Sequence, residues 1–224
     1  MGSGFFVTGT DTGVGKTTAT LALMAAFQRR GLRVAAMKPV AAGCERSADG
    51  LRNDDALRLM AQASVTLPYE LVNPYAFEAP IAPHIAAAEQ GVEIALPRLQ
   101  AAYDEIRQRA DLVLVEGAGG WLVPIGESGS MADVPAALGL AVINVVGIRL
   151  GCINHALLTE LAVRQHGCTP VGWIANHLQP DTLRAEQIVQ SLQSRLDAPL
   201  LGRIGYDAGG PEHTGLGLDI DVLR

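Results

Sequence analysis

Residues 9–17, Gly9-Thr10-Asp11-Thr12-Gly13-Val14-Gly15-Lys16-Thr17, place a lysine and a hydroxyl directly after a glycine-rich run. That pattern suits phosphate. Glycines let the backbone turn tightly and approach a ligand, and successive N–H groups at a helix start favour anionic oxygens. Lys16 would reach the terminal phosphates of a nucleotide, and Thr17 would set its hydroxyl on a magnesium ion held by them. The simple G-x-x-x-x-G-K-[ST] pattern wants glycine at position 10, where this chain has Thr10 and carries Gly9 one place earlier. The loop is therefore one residue longer.

Further charged residues sit where such a ligand gathers. Arg33-Val34-Ala35-Ala36-Met37 reads as an apolar strand ending at Lys38, and open α/β sheets bind ligands at the carboxyl ends of their strands. Lys38 either faces the same phosphates as Lys16 or is a solvated strand-end lysine. The run Asp111-Leu112-Val113-Leu114-Val115 ends in Glu116-Gly117-Ala118-Gly119-Gly120, one carboxylate before a glycine turn. In a phosphate-loop protein such an acid belongs in or behind the magnesium shell; the alternative is a glutamate in solvent. Asn53 caps a helix that opens with Asp54 and Asp55, acids that either complement the helix dipole or supply magnesium with oxygen. His84, beside Pro83, is catalytic, structural or merely exposed.

The elements that must position these groups follow from periodicity. Gly4 to Val7 is β-prone, and Thr18 to Arg30 carries Leu21, Met24 and Phe27 at helical spacing before Gly31 stops the helix. Ala41 to Gly50 reads as a small-residue and polar loop, followed by a helix through Leu57, Leu59 and Met60. Prolines 74, 80 and 83 shape a loop region before a short helix over Ile85 to Glu89. A longer helix starts near Pro97 with Leu99, Tyr103, Ile106 and Ala110 on one face. Further strands are expected at 111–116, 141–147, 170–176 and 200–204. Helices are expected at about 152–166 and 182–196, the latter with Leu183, Ile188, Val189, Leu192 and Leu196 as its apolar series. Gly209, Gly210, Gly215 and Gly217 make the C-terminal segment loop-rich, either a nucleotide-edge loop or a mobile tail. The alternation predicts an α/β fold: one P-loop NTPase domain over residues 1–224, with a mostly parallel central sheet flanked by helices on both faces.

Composition narrows the partners. A chain of 224 residues, 49% hydrophobic and 18% charged, can bury a substantial core. A net charge of −6 and scattered lysines and arginines argue against a nucleic-acid surface. Cys44, Cys152 and Cys168 lack any C-x-x-C spacing, so neither a disulfide framework nor a thiolate metal site is expected. The most apolar stretch, Ala136 to Ile143, is too short to span a bilayer, and a soluble cytoplasmic protein is expected.

Beyond the phosphate loop, Lys38-Pro39-Val40, Leu51-Arg52-Asn53-Asp54-Asp55, Val72-Asn73-Pro74-Tyr75, Val115 to Gly120, and Leu150-Gly151-Cys152-Ile153-Asn154-His155 make nearly the whole chain resemble one family. It is similar to the dethiobiotin synthetases, within the larger group of phosphate-loop ATPases and amidoligases, which share the longer loop. The resemblance implies that 7,8-diaminononanoate, CO2 and MgATP become dethiobiotin, ADP and phosphate. It assigns Lys16 and Lys38 to catalysis, with Lys38 beside the carbamate and the γ-phosphate. Gly13, Val14, Gly15, Lys16, Thr17 and Thr18 hold the phosphates, with Gly117, Ala118 and Gly119 nearby. Thr17, Asp55 and Glu116 hold Mg2+. Asn176 contacts the base, and Gly205, Tyr206, Asp207 and Glu212 close its pocket. Thr12, Lys38 and Ala42 lie on the substrate side. Backbone N–H groups at Gly151, Cys152, Ile153 and Asn154 receive the substrate carboxylate from across a homodimer interface, where Cys152 is either a small buried thiol or reactive. Two positions depart from the family: Ala42 stands where members often have serine, and Gly205 where proline is frequent.

Two other classes share parts of the pattern. A partition-type switch ATPase would carry a signature lysine early in the loop, and Gly9 to Val14 contains none. A cobyrinate-type amidoligase would need a glutaminase domain and its triad cysteine, and this chain shows no extra length for the domain and no obvious triad cysteine.

Overall fold

The computed structural model describes residues 3–127, 129–206 and 209–223. In chain order the elements begin with β1 (Ser3–Gly9), α1 (Lys16–Arg29), β2 (Val34–Met37), β3 (Val40–Ala41), β4 (Glu45–Ser47), β5 (Gly50–Arg52), α2 (Asp54–Gln62), α3 (Tyr69–Val72) and β6 (Tyr75–Ala76). They continue with α4 (Pro83–Glu89), α5 (Leu96–Arg107), β7 (Leu112–Glu116), α6 (Asp133–Leu138), β8 (Ala141–Ile148), α7 (Cys152–Gln165), β9 (Pro170–His177), α8 (Ala185–Gln193), β10 (Leu200–Ile204) and α9 (Pro211–Leu216). Six strands form the central sheet in the order β10-β9-β8-β1-β7-β2. Every pairing in it is parallel.

A parallel sheet must bury both faces, which is why its strands are apolar at consecutive positions rather than at alternate ones. On β1, Phe6 packs with Val113 and Val115 of β7 and with Leu99, Tyr103 and Ile106 of α5. Phe5 and Val7 point the other way, into a core shared with Leu21, Met24 and Phe27 of α1. A third cluster joins Val146 and Trp173 to Ala156 of α7 and Val189 and Leu192 of α8. The sheet is thus clamped between helices, and its strand ends have little freedom to shift.

Several local expectations change. The first helix starts at Lys16 rather than Thr18, because Gly15 takes φ 84° and turns the chain directly into the helix. The stretch 41–50 is not an unstructured loop: Val40–Ala41 pairs parallel with Tyr75–Ala76, and Glu45–Ser47 forms a hairpin with Gly50–Arg52. The helix of the 180s begins at Ala185, after Arg184 at φ 58°, so Leu183 lies outside it and is 81% exposed. The C-terminal glycines do not mark only loop. Pro211–Leu216 is helical, and a Cβ on Gly215 would stand 2.6 Å from the Ala22 carbonyl of α1, so this glycine permits close helix packing. The short helix α6 carries too few residues for its period to be read from sequence.

Candidate active site

The floor of the site is where β1, β2 and β7 end side by side. β7 lies between β1 and β2, with Val7 opposite Glu116 and Met37 opposite Val115. That register brings the phosphate loop, Lys38 and Glu116 out of the sheet together. Lys38 Nζ donates to Glu116 Oε1 at 2.5 Å and to Asp55 Oδ2 at 2.9 Å. Thr17, in the first turn of α1, donates from Oγ1 to the same Glu116 oxygen at 2.8 Å. Lys16 Nζ donates to the Asp11 carbonyl within the loop at 3.0 Å. Lys16, Thr17, Lys38 and Glu116 are all buried.

Lys38 is held from behind by a chain of bonds in which the sequence assigns a role only to Asn53, as a helix cap. Its N–H donates to the Val72 carbonyl at 2.7 Å, and its own carbonyl accepts from Asn73 Nδ2 at 2.7 Å. Asn73 Oδ1 accepts from the Tyr69 hydroxyl at 2.9 Å, and that hydroxyl accepts from the Asn53 N–H at 2.7 Å. Asn53 then caps α2 by accepting from the Ala56 N–H at 3.2 Å. One buried chain of bonds therefore fixes Lys38 relative to the helix that carries Asp55.

Charge and burial compete here. Burial, and secondarily the charge of Lys38, lower the Lys16 pKa to about 8. Burial also acts to lower that of Lys38, but Glu116 and Asp55 outweigh it and the net direction is up. Asp55 mirrors this: burial acts to raise its pKa, and the Lys38 ammonium more than reverses the effect. Glu116 Oε2 is buried with no hydrogen-bond partner. An orphaned carboxylate oxygen beside a second carboxylate and a hydroxyl is a donor set that suits a hard cation. Among the described residues no group of three or more His, Cys, Asp and Glu side chains could hold a metal alone, so a cation here would draw remaining ligands from phosphate and water.

These residues open into a cleft of about 700 Å3. Of the residues that the sequence assigns to the site, Thr12, Gly13, Gly15, Lys16, Thr17, Thr18, Lys38, Ala42, Asp55, Glu116, Ala118 and Gly119 line it. Gly117 does not: a Cβ there would stand 2.8 Å from the Phe6 ring, so core packing rather than a ligand requires this glycine. Val14 is buried behind the loop. Asn176 lies outside the lining and donates from Nδ2 to the Val14 carbonyl at 2.8 Å, bracing the loop. Ile204 is opposite Asn176 in the sheet, so the exposed Gly205 and Tyr206 leave beside it. Asp207 and the side chain of Glu212 lie outside the described residues. Gly151 takes φ 92° at the start of α7, away from the cleft lining. Cys152 there is buried, and burial raises its pKa, which keeps the thiol protonated and unreactive. His84 is partly buried outside this cleft.

A parallel sheet whose first strand feeds a glycine loop, a buried lysine and a threonine on the following helix defines a P-loop NTPase. Solved structures agree on that fold. The septum site-determining protein MinD complexed with Mg-ADP from Pyrococcus horikoshii OT3 superposes with a TM-score of 0.57 at 16% identity, covering 99% of this chain and 89% of that one. The MinC:MinD cell division protein complex of Aquifex aeolicus gives 0.57 at 18% identity, covering 97% and 87%. Residues 3–209 match the family described as AAA domain. The sequence is 51% identical, over 98% of this chain and 97% of the relative, to the ATP-dependent dethiobiotin synthetase BioD of Pseudomonas paraeruginosa. It is 51% identical to the same enzyme of Nitrosospira multiformis, over 92% and 90%. The chain belongs to the ATP-dependent dethiobiotin synthetase family.

Proposed function

We propose that this chain converts 7,8-diaminononanoate, CO2 and ATP into dethiobiotin, ADP and phosphate. One substrate amine adds to CO2 and loses a proton to give a carbamate. A carbamate oxygen attacks the γ-phosphorus and ADP leaves. The second amine then attacks the carbamoyl carbon, expels phosphate, loses a proton and closes the ring. The chemistry asks for in-line positioning, neutralisation of the transferring phosphoryl charge and protection of the mixed anhydride from water. Lys16 and Lys38 supply fixed positive charge where that phosphoryl passes, and no covalent enzyme intermediate is needed. Thr17, Asp55 and Glu116 would hold magnesium, which when bound supplies further charge neutralisation at the phosphate oxygens. The observation that carries this function is the convergence of Lys16, Lys38, Thr17, Asp55 and Glu116 in one cleft, in a chain about half identical to ATP-dependent dethiobiotin synthetases over nearly its full length.

We read residues 1–224 as one domain, since the six strands of the central sheet are drawn from both ends of the chain, from β1 at Ser3–Gly9 to β10 at Leu200–Ile204. Its working unit is a two-fold homodimer in which the partner's Gly151 to Asn154 segment receives the substrate carboxylate. Exposed leucines support this: Leu150 is 98% exposed beside that segment, and Leu158 and Leu161 are exposed further along α7. We place the protein in the cytoplasm. Among the described residues no helix is long and apolar enough to cross a membrane, and all three cysteines are free thiols.

Mass spectrometry of a reaction containing diaminononanoate, bicarbonate and MgATP tests the activity. The expected product carries one added carbonyl and two fewer hydrogens than the diamine. ADP release without that product would overturn the substrate assignment.

A further inference from the structure

Arg58 stands apart from the other charges of the cleft. It follows Asp55 by three residues on α2, so the two side chains leave the same face of the helix. Both line the cleft together with Thr17 and Thr18. Lys38 already has two carboxylate partners, and Lys16 is tied to a loop carbonyl. Arg58 is exposed and makes no hydrogen bond or ion pair within the described residues. Its charge nevertheless reaches Asp55: burial acts to raise that carboxyl's pKa, and Arg58 adds to the larger lowering effects of Lys38 and the Thr17 hydroxyl.

The charges of the cleft then leave a surplus. Its lining holds the cations Lys16, Lys38 and Arg58 against the carboxylates Asp55 and Glu116. Lys38 bonds both carboxylates, so the exposed cation with no partner is the arginine. A nucleotide triphosphate brings excess negative charge to this cleft. A guanidinium is always charged and presents a planar fork that matches phosphate oxygens bidentately.

We propose that Arg58 is a further binding residue of the site, donating from the α2 wall to oxygens of the nucleotide's phosphate chain. The proposal rests on the reading of the cleft as an ATP site. A cation on this wall disfavours the diamine, whose ammonium groups it repels, and favours the polyphosphate. Because the side chain is exposed and not held by protein partners, binding orders it, and part of the interaction offsets that ordering.

Calorimetric binding of ATP and adenosine, with Mg2+ present, to the unmodified chain, Arg58→Gln and Arg58→Lys tests this. Arg58→Gln is expected to weaken ATP binding about tenfold, the scale of one charge-assisted hydrogen bond on a solvent-exposed wall. Adenosine should bind all three chains equally, and Arg58→Lys should recover part of the loss. The ATP difference should shrink as salt is raised, which a merely structural effect would not do. Equal ATP affinity in the unmodified chain and Arg58→Gln overturns the proposal and leaves the ATP-site reading standing. Unchanged ATP affinity with a raised KM for the diamine also overturns it, moving Arg58 to the carbamate. An unmodified chain that binds no ATP overturns the reading of the cleft itself.

Discussion

Lys38 donates to Glu116 Oε1 across 2.5 Å, and Thr17 donates to that same oxygen across 2.8 Å, so one carboxylate oxygen ties β2, β7 and α1 together at the floor of the cleft. The other oxygen, Oε2, is buried without a partner. Such a group is both a structural hub and a ready ligand, and substitution must separate the two roles. Glu116→Gln removes one of two counter-charges from a buried lysine and is expected to lower turnover at least about 100-fold. Removing one partner of a buried pair also destabilises the fold, by up to roughly 3–5 kcal/mol. Asp55→Asn, on a side chain 37% exposed, carries less structural penalty. In both variants the Mg2+ concentration needed for tight ATP binding should rise. A normal magnesium titration in a folded Asp55→Asn chain would take that residue out of the metal shell.

Lys16 makes nucleotide binding depend on pH. Burial and the neighbouring Lys38 bring its pKa down from 10.5 to about 8. Between those values the unfolded chain holds the proton and the folded chain does not, so stability rises with pH across that window. At pH 7 the folded state carries the full penalty, about 3 kcal/mol at ~1.4 kcal/mol per pKa unit. Lys16→Met should therefore raise thermal stability at neutral pH while abolishing turnover. Phosphates placed beside Lys16 favour its charged form, so ATP binding at about pH 9 should take up a proton. Calorimetry in two buffers of different ionisation enthalpy measures that uptake. Identical heats in both would remove Lys16 from the phosphate contact.

Gly13 and Gly15 both have positive φ, 74° and 84°, yet their surroundings differ. A Cβ on Gly13 meets nothing within 4 Å, whereas on Gly15 it would stand 2.0 Å from Asn176 Nδ2. Gly13→Ala should carry only the backbone strain of a left-handed alanine, about 1–2 kcal/mol. Gly15→Ala adds a collision that displaces Asn176 or the loop. Thermal midpoints should fall further for Gly15→Ala, and ATP binding should be lost there first. Equal losses for both would mean that strain alone, not the Asn176 contact, sets the loop.

The groups legible in the sequence are those whose place follows from local order. Lys16 and Thr17 are set by the loop, while Lys38 and Glu116 are set by strands that end beside it. Asp55 was distinguishable from Asp54 only by resemblance, because choosing between adjacent acids requires the phase of α2 against the sheet. Helical phase also places Arg58 in the cleft, three residues on from Asp55. The brace behind Lys38 was not legible. It joins Asn53, Tyr69 and Asn73 to a backbone carbonyl 35 positions earlier in the chain, and no periodicity marks such a bond. Gly215 and Leu183 misled for the same reason. A glycine can permit helix packing and a leucine can sit in solvent, and only tertiary contact separates those cases from the ordinary ones.

Asn176 was expected at the nucleotide base, and the structure gives its side chain a second task. Nδ2 donates to the Val14 carbonyl at 2.8 Å, linking β9 to the loop across 162 positions of sequence. A residue that only contacts the base would affect ligands with a base. A residue that braces the loop would affect any ligand held by the loop's N–H groups. Inorganic tripolyphosphate separates the two, since it offers phosphate and no base. Asn176→Ala removes the amide and leaves a buried carbonyl unpaired, a loss of roughly 1–3 kcal/mol. If the brace matters, tripolyphosphate affinity should fall with ATP affinity, by about 5-fold or more each. Asn176→Asp should be worse, because a carboxylate cannot donate and would repel the Val14 carbonyl. Undiminished tripolyphosphate binding in Asn176→Ala, alongside weakened ATP binding, would confine the residue to the base and leave the loop to hold its own shape.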